Sequence, residues 1–174
     1  MARLGVLANE MVFLGGCAAG LLLTDLAAPP IRVTHDVDVI TEVASLGDYH
    51  RLSARLRQCG FKEDQSPDAA VVVELPSGHC IRVVTAPYFL ATKLAAFDGR
   101  GRGDYVSHDM EDIVAVLDGR PEIVKEVKRA DDALRTHLAK RFVELLRDTH
   151  FVAALPGHLP SDKASQLRVP LVME

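Results

Sequence analysis

Apolar positions fall into two kinds of run, short β-rich or aliphatic runs confined to the first hundred residues and helical stripes that continue to the end. Met11 to Leu14 is a short apolar run closed by Gly15-Gly16 and followed by the small and aliphatic residues Cys17 to Leu23, which predicts strand, glycine turn, helix. Pro29-Pro30 stops that helix, and the β-branched density of Ile31 to Ile40 predicts a strand. Alternation places Val33, Val37 and Val39 on one face and Thr34, Asp36 and Asp38 on the other.

Leu46, Tyr49, Leu52, Leu56 and Cys59 then recur at helical spacing, with Gly60 placed to end the helix. Ala70 to Leu75 and Cys80 to Thr85, joined by Pro76-Ser77-Gly78-His79, predict a hairpin. Pro87 opens a helix whose buried stripe is Phe89, Leu90, Leu94 and Phe97, with Lys93 beside it. Glycines and arginines from Gly99 to Tyr105 predict a loop, after which Ser107 is placed to cap a helix with Met110, Ile113, Val114 and Leu117 on its apolar face. From Pro121 onward the pattern is helical, strongest at Leu134, Leu138, Phe142 and Leu145, and it is broken at Pro156, Pro160 and Pro170. The expected fold is α+β, a small mixed sheet with helices followed by a helical C-terminal half, with a core over 1–118 and a helical extension over 119–174 packed on the same unit.

Composition narrows the function classes. The 174 residues are 48 % hydrophobic and 25 % charged, as folded domains are, and the net charge of −4 lacks the overall basic footprint of a duplex-DNA binder. With no Trp and 5 % aromatics, stacking platforms for single-stranded RNA are scarce. Cys17, Cys59 and Cys80 form neither a disulfide framework nor a zinc-ligand spacing, which points to a reducing cytoplasm. Leu14-Gly15-Gly16-Cys17 looks superficially like a lipoprotein processing site, but Asn9 and Glu10 interrupt the apolar stretch before it. No stretch reaches the roughly 20 apolar residues of a membrane span, so no membrane partner is expected.

Candidate chemistry concentrates in Arg32-x-Thr34-x-Asp36-Val37-Asp38, downstream of Gly15-Gly16. Two carboxylates on one strand face can hold a hard ion such as Mg²⁺ through oxygen. A glycine turn before a helix leaves backbone N–H groups to receive phosphate. Triphosphate with metal is the expected cargo.

A Gly-Gly turn, a helix, then a strand bearing Asp-x-Asp resembles the nucleotidyltransferases of the DNA polymerase β superfamily. Arg32-x-Thr34-x-Asp36-x-Asp38, with Lys93 and His108-Asp109-Met110-Glu111-Asp112-Ile113, is similar to the AbiEii/AbiGii toxin family of bacterial nucleotidyltransferases, over roughly Phe13 to Leu117. The resemblance implies transfer of a nucleotide from an NTP to a tRNA end or a protein hydroxyl, with an in-line attack on the α-phosphate and pyrophosphate leaving. It casts Asp36 and Asp38 as Mg²⁺ ligands and, with Lys93 and Asp109, as catalytic residues. Gly15, Gly16, Arg32 and Thr34 become the nucleotide-binding set. It further implies a toxin-like component with an antitoxin protein as possible partner.

One departure accompanies the likeness. The superfamily usually carries a third carboxylate on a later strand, and the stretch between Gly60 and Pro87 holds no such Asp-bearing strand; Glu74, its one acid in a strand-like run, reads more simply as a hairpin-end residue. The chain therefore looks shortened between residues 60 and 87, and the alternative is a degenerate nucleotidyltransferase fold that binds nucleotide or a partner protein without turnover. The dipeptides His35-Asp36 and His108-Asp109 suggest HD-type phosphohydrolases, but that fold is helical throughout and His35-Asp36 lies in the most strand-like run.

Overall fold

The computed structural model describes residues 4–34, 37–60, 82–101 and 103–174. Asp36, Glu74, Cys80 and most of the expected hairpin lie outside the described residues. The fold is mixed α/β, mostly helical, with a small sheet, compatible with the α+β expectation. The chain groups into two compact units, residues 1–18 with 33–84 and residues 19–32 with 85–174. The C-terminal helices thus share a unit with the helices that follow Pro87.

The first unit is built on a sheet of strand order β2-β1-β3. Strand β1 (Met11–Leu14) pairs antiparallel with β2 (Asp38–Thr41), and parallel with the two-residue β3 (Arg82–Val83). The register runs from Met11 opposite Thr41 to Leu14 opposite Asp38. The strand expected from Ile31 therefore starts late: the described ladder with β1 begins at Asp38, and residues 31–34 lie outside it. The expected alternation holds where the ladder exists, with Val37 buried and Val39 half-buried, and fails at Val33, which is 81 % exposed. A 3₁₀ turn (Gly5–Glu10) feeds β1 and supplies Leu4, Leu7 and Ala8 to a core with Met11, Phe13 and Val37. Against that core pack Leu52, Leu56 and Cys59 of the helix α2 (Leu46–Gln58) and its C-cap, the later part of the stripe read from the sequence, whereas Leu46 and Tyr49 at its start are exposed. Ser45 caps α2 by accepting from the Asp48 N–H, and Glu10 ties the helix to the first turn through a two-pronged pair with Arg55.

Between β1 and β2 the chain forms helix α1 (Gly16–Leu22), which begins in the first unit and ends in the second. The second unit is helical and centred on α3 (Ala86–Ala96). Phe89, Leu90 and Leu94 are fully buried there, and α3 is apolar around most of its circumference because neighbours cover it on several sides. Those neighbours are α4 (His108–Gly119), α5 (Ile123–Arg129) and α6 (Asp132–Arg147). The loop expected from Gly99 begins instead as a π-helical turn, Phe97–Gly101, that continues α3. Tyr105 stacks on Phe97 and meets Phe151 of α7 (Thr149–Ala154) edge-on, which anchors the return of the chain. Ser107 occupies the N-cap position of α4 as expected, but its hydroxyl makes no capping bond. A 3₁₀ turn (Leu155–His158), α8 (Lys163–Gln166) and α9 (Val169–Val172) complete the unit. Arg168 fastens this tail to α4 by donating to the Asp118 carboxylate and carbonyl, and to Asp25. Among the described residues no helix is long and apolar enough to cross a membrane.

The packing of α6 gives a contrast that urea unfolding can measure. Leu138→Ala, at a fully buried position, should lower stability by about 2–5 kcal/mol, whereas Val143→Ala on the exposed side should stay within about 0.5 kcal/mol. Similar midpoints for the two variants would contradict the packing described.

Candidate functional site

In the first unit the site is the junction of β1, the glycine turn and β2. Pairing of Leu14 with Asp38 sets the acid at the end of the sheet where β1 turns into α1. Gly15 lies at φ +73°, in the left-handed region that glycine adopts without penalty. A Cβ at this position would stand 2.8 Å from Asp38 Cγ and closer still to its Oδ2. The absent side chain is thus what lets the Asp38 carboxylate lie across the turn. Asp38 is exposed, and Gly16 opens α1 beside it. Thr34 also belongs to this unit.

In the second unit an ionic network joins α3 to α4. Asp109 and Asp112, three residues apart on α4, project to one side of the helix and receive the same ammonium. Lys93 Nζ lies 3.1 Å from Asp109 Oδ1 and 2.6 Å from Asp112 Oδ2, with the three side chains only 8, 6 and 3 % exposed. Arg100, on the π turn after α3, donates from Nε and Nη2 to both oxygens of Asp109 at 2.9 Å. Arg32 donates to Asp112 at 3.3 Å and sits 3.5 Å from Glu111, which also meets His108. Burial pushes the Asp109 carboxyl up, but the bonds from Arg100 and Lys93 outweigh it and hold Asp109 below its ordinary value of 3.8.

Of the residues nominated from sequence, the structure therefore joins Gly15 to Asp38, and Lys93 to Asp109, and brings Arg32 to the second group through Asp112. Asp36 lies outside the described residues, and among those described no group of three His, Cys, Asp or Glu side chains could hold a metal ion. The donor that is described fits Mg²⁺ in kind, since this ion is commonly held by one or two carboxylates together with phosphate oxygens and water. Arg100 escaped nomination because a Gly-Arg-Gly-Arg run reads as loop; Asp112 was legible only through its spacing from Asp109. Comparison of the chain with family models, with curated proteins and with solved structures gives no match.

Two outcomes follow from the network. Lys93→Met leaves Asp109 and Asp112 buried beside an apolar chain and should cost about 3–5 kcal/mol in denaturant unfolding; a loss under about 1 kcal/mol would show that the ammonium is not holding them. Because the Asp109 carboxyl is depressed in the fold, its stabilisation is complete above 3.8 and disappears as pH falls through the lower folded value. The stability gap between the parent and Asp109→Asn should therefore narrow as pH drops from about 6 to about 2, and a gap that widens in acid would contradict the assignment.

Proposed function

We propose that the chain is a Mg²⁺-dependent nucleotidyltransferase of the AbiEii/AbiGii kind, acting on a tRNA end or a protein hydroxyl. The observation that carries this reading is the seating of the Asp38 carboxylate on side-chain-free Gly15 at the strand–turn–helix junction. An exposed acid at the end of a strand, lying across a glycine turn, is suited to oxygen-only ligation. In this reading Asp38, with Asp36, holds the ion, which when bound supplies positive charge to the triphosphate and its leaving pyrophosphate. The Gly15-Gly16 turn receives phosphate through its backbone, with Thr34 adding a nucleotide contact. The acceptor hydroxyl oxygen bonds to the α-phosphorus, the bond to the bridging oxygen breaks, and the hydroxyl proton passes to a carboxylate or to solvent.

A second reading, nucleotide binding without turnover, is favoured by one feature. Lys93 is already neutralised by Asp109 and Asp112, so it must give up part of that pairing to serve a triphosphate. A toxin-like role with an antitoxin partner goes with the first reading.

Calorimetric titration with each NTP, with and without Mg²⁺, tests both. Asp38→Asn should weaken Mg²⁺-dependent binding by at least about tenfold at unchanged melting temperature, because an exposed carboxylate carries little stability. Equal affinity in parent and variant would contradict the site. Binding in the parent with no transfer to either acceptor class would select the second reading.

A further inference from the structure

The second unit contains a cavity of about 290 Å³ that the nucleotidyltransferase reading does not use. Its apolar walls come from Pro29, Pro30, Ile31, Leu159 and Pro160, and its polar lining from Arg32, Glu111, Asp112, Asp118 and His158. Ligand cavities usually run from roughly 300 to 1,000 Å³, so this one suits a small group rather than a whole nucleoside triphosphate.

The lining is rich in acceptors. Three of its residues are prolines, which have no N–H to donate. Asp112 is bonded by Lys93 and Arg32 through Oδ2, Asp118 by Arg168 through Oδ1, and Glu111 meets His108 and Arg32 through Oε2; among the described residues the second oxygen of each has no partner. His158 Nε2 lies 2.6 Å from the Tyr105 carbonyl, which can only accept, so Nε2 carries a proton and that bond takes up its donor. Arg32 is the one Lys or Arg in the lining; it donates to Asp112 and pairs with Glu111, and its buried Nε makes no hydrogen bond. Charge points the same way. Among the described residues Lys93, Arg32 and Arg100 balance Asp109, Asp112 and Glu111, whereas Arg168 alone meets both Asp25 and Asp118, so that second group, which reaches the cavity through Asp118, is one cation short. An anion here would face three carboxylates.

The 156–160 turn, which lends Gly157, His158, Leu159 and Pro160 to the lining, is braced. Gln166 Nε2 is shared among the carbonyls of Pro156, Leu159 and Pro160, which holds the 156–160 turn in shape. We propose that this cavity binds a small organic cation with several N–H donors, of the guanidinium class, whose aliphatic stem lies on the proline and leucine walls. The guanidinium supplies the missing charge, and its planar fork matches carboxylate oxygens. The source is a free guanidino compound or an arginine side chain of another protein.

The test is calorimetric titration of the full chain with agmatine, with its neutral urea isostere N-carbamoylputrescine, and with the peptide Gly-Arg-Gly. Agmatine or the peptide should bind with one-to-one saturation, and the urea isostere at least about tenfold more weakly. The tighter of the two cationic probes identifies the source. Glu111→Gln should weaken that binding by about tenfold. Ala115→Leu should weaken it at least about tenfold, since Ala115 lines the cavity and the larger side chain takes up its space. No saturable binding of either cation, equal binding of the isostere, or a parent-like affinity in both variants would overturn the proposal. None of these readouts involves NTP, so the outcome is independent of the nucleotidyltransferase reading.

Discussion

A lysine ammonium can be buried only where carboxylates replace the water it loses, and that requirement organises the second unit. Lys93 sits among the buried residues of α3, so α4 must present Asp109 and Asp112 to it, and their three-residue spacing fixes the rotation of α4 against α3. Each carboxylate then recruits a further cation. Arg100 clamps Asp109 and so draws the π turn back onto α4, while Arg32 reaches Asp112 and holds the segment after Pro30 in place. Sliding either helix by one residue would strand buried charge, a penalty that apolar packing alone would not impose.

In the first unit the equivalent constraint is steric. Gly15 combines a positive φ with the space into which Asp38 fits, so one missing Cβ serves both the turn and the acid. The antiparallel register sets which residue of β2 occupies that space, and the described ladder begins at that residue. A short sheet thus places a single described carboxylate accurately while leaving Val33 exposed.

Much of this was legible in the residues. Helical stripes such as Phe89, Leu90 and Leu94 mark burial directly, and Pro87, Ser107 and Gly60 punctuate the chain where the helices begin or end. The Gly15-Gly16 and Asp38 pairing was readable as a pattern, whereas its physical basis, a close approach across the turn, depends on register. Lys93 read as a cation beside a buried stripe; that it is enclosed by two acids depends on how α4 is turned, which local sequence does not encode. Arg100 was hidden for the same reason, since its partner lies beyond a glycine-rich break. The strand limits missed because β propensity at Ile31 to Thr34 says nothing of where the ladder with the partner strand begins.

The central claim is that Asp38 and the glycine turn serve nucleotide transfer. It is tested most directly by incubating the protein with Mg²⁺, tRNA or protein acceptors, and NTP labelled at either the α- or the γ-phosphate. The account predicts acceptor labelled from the α-phosphate alone, with pyrophosphate released and the label lost in Asp38→Asn. Label arriving from the γ-phosphate, or transfer that persists unchanged in Asp38→Asn, would contradict it.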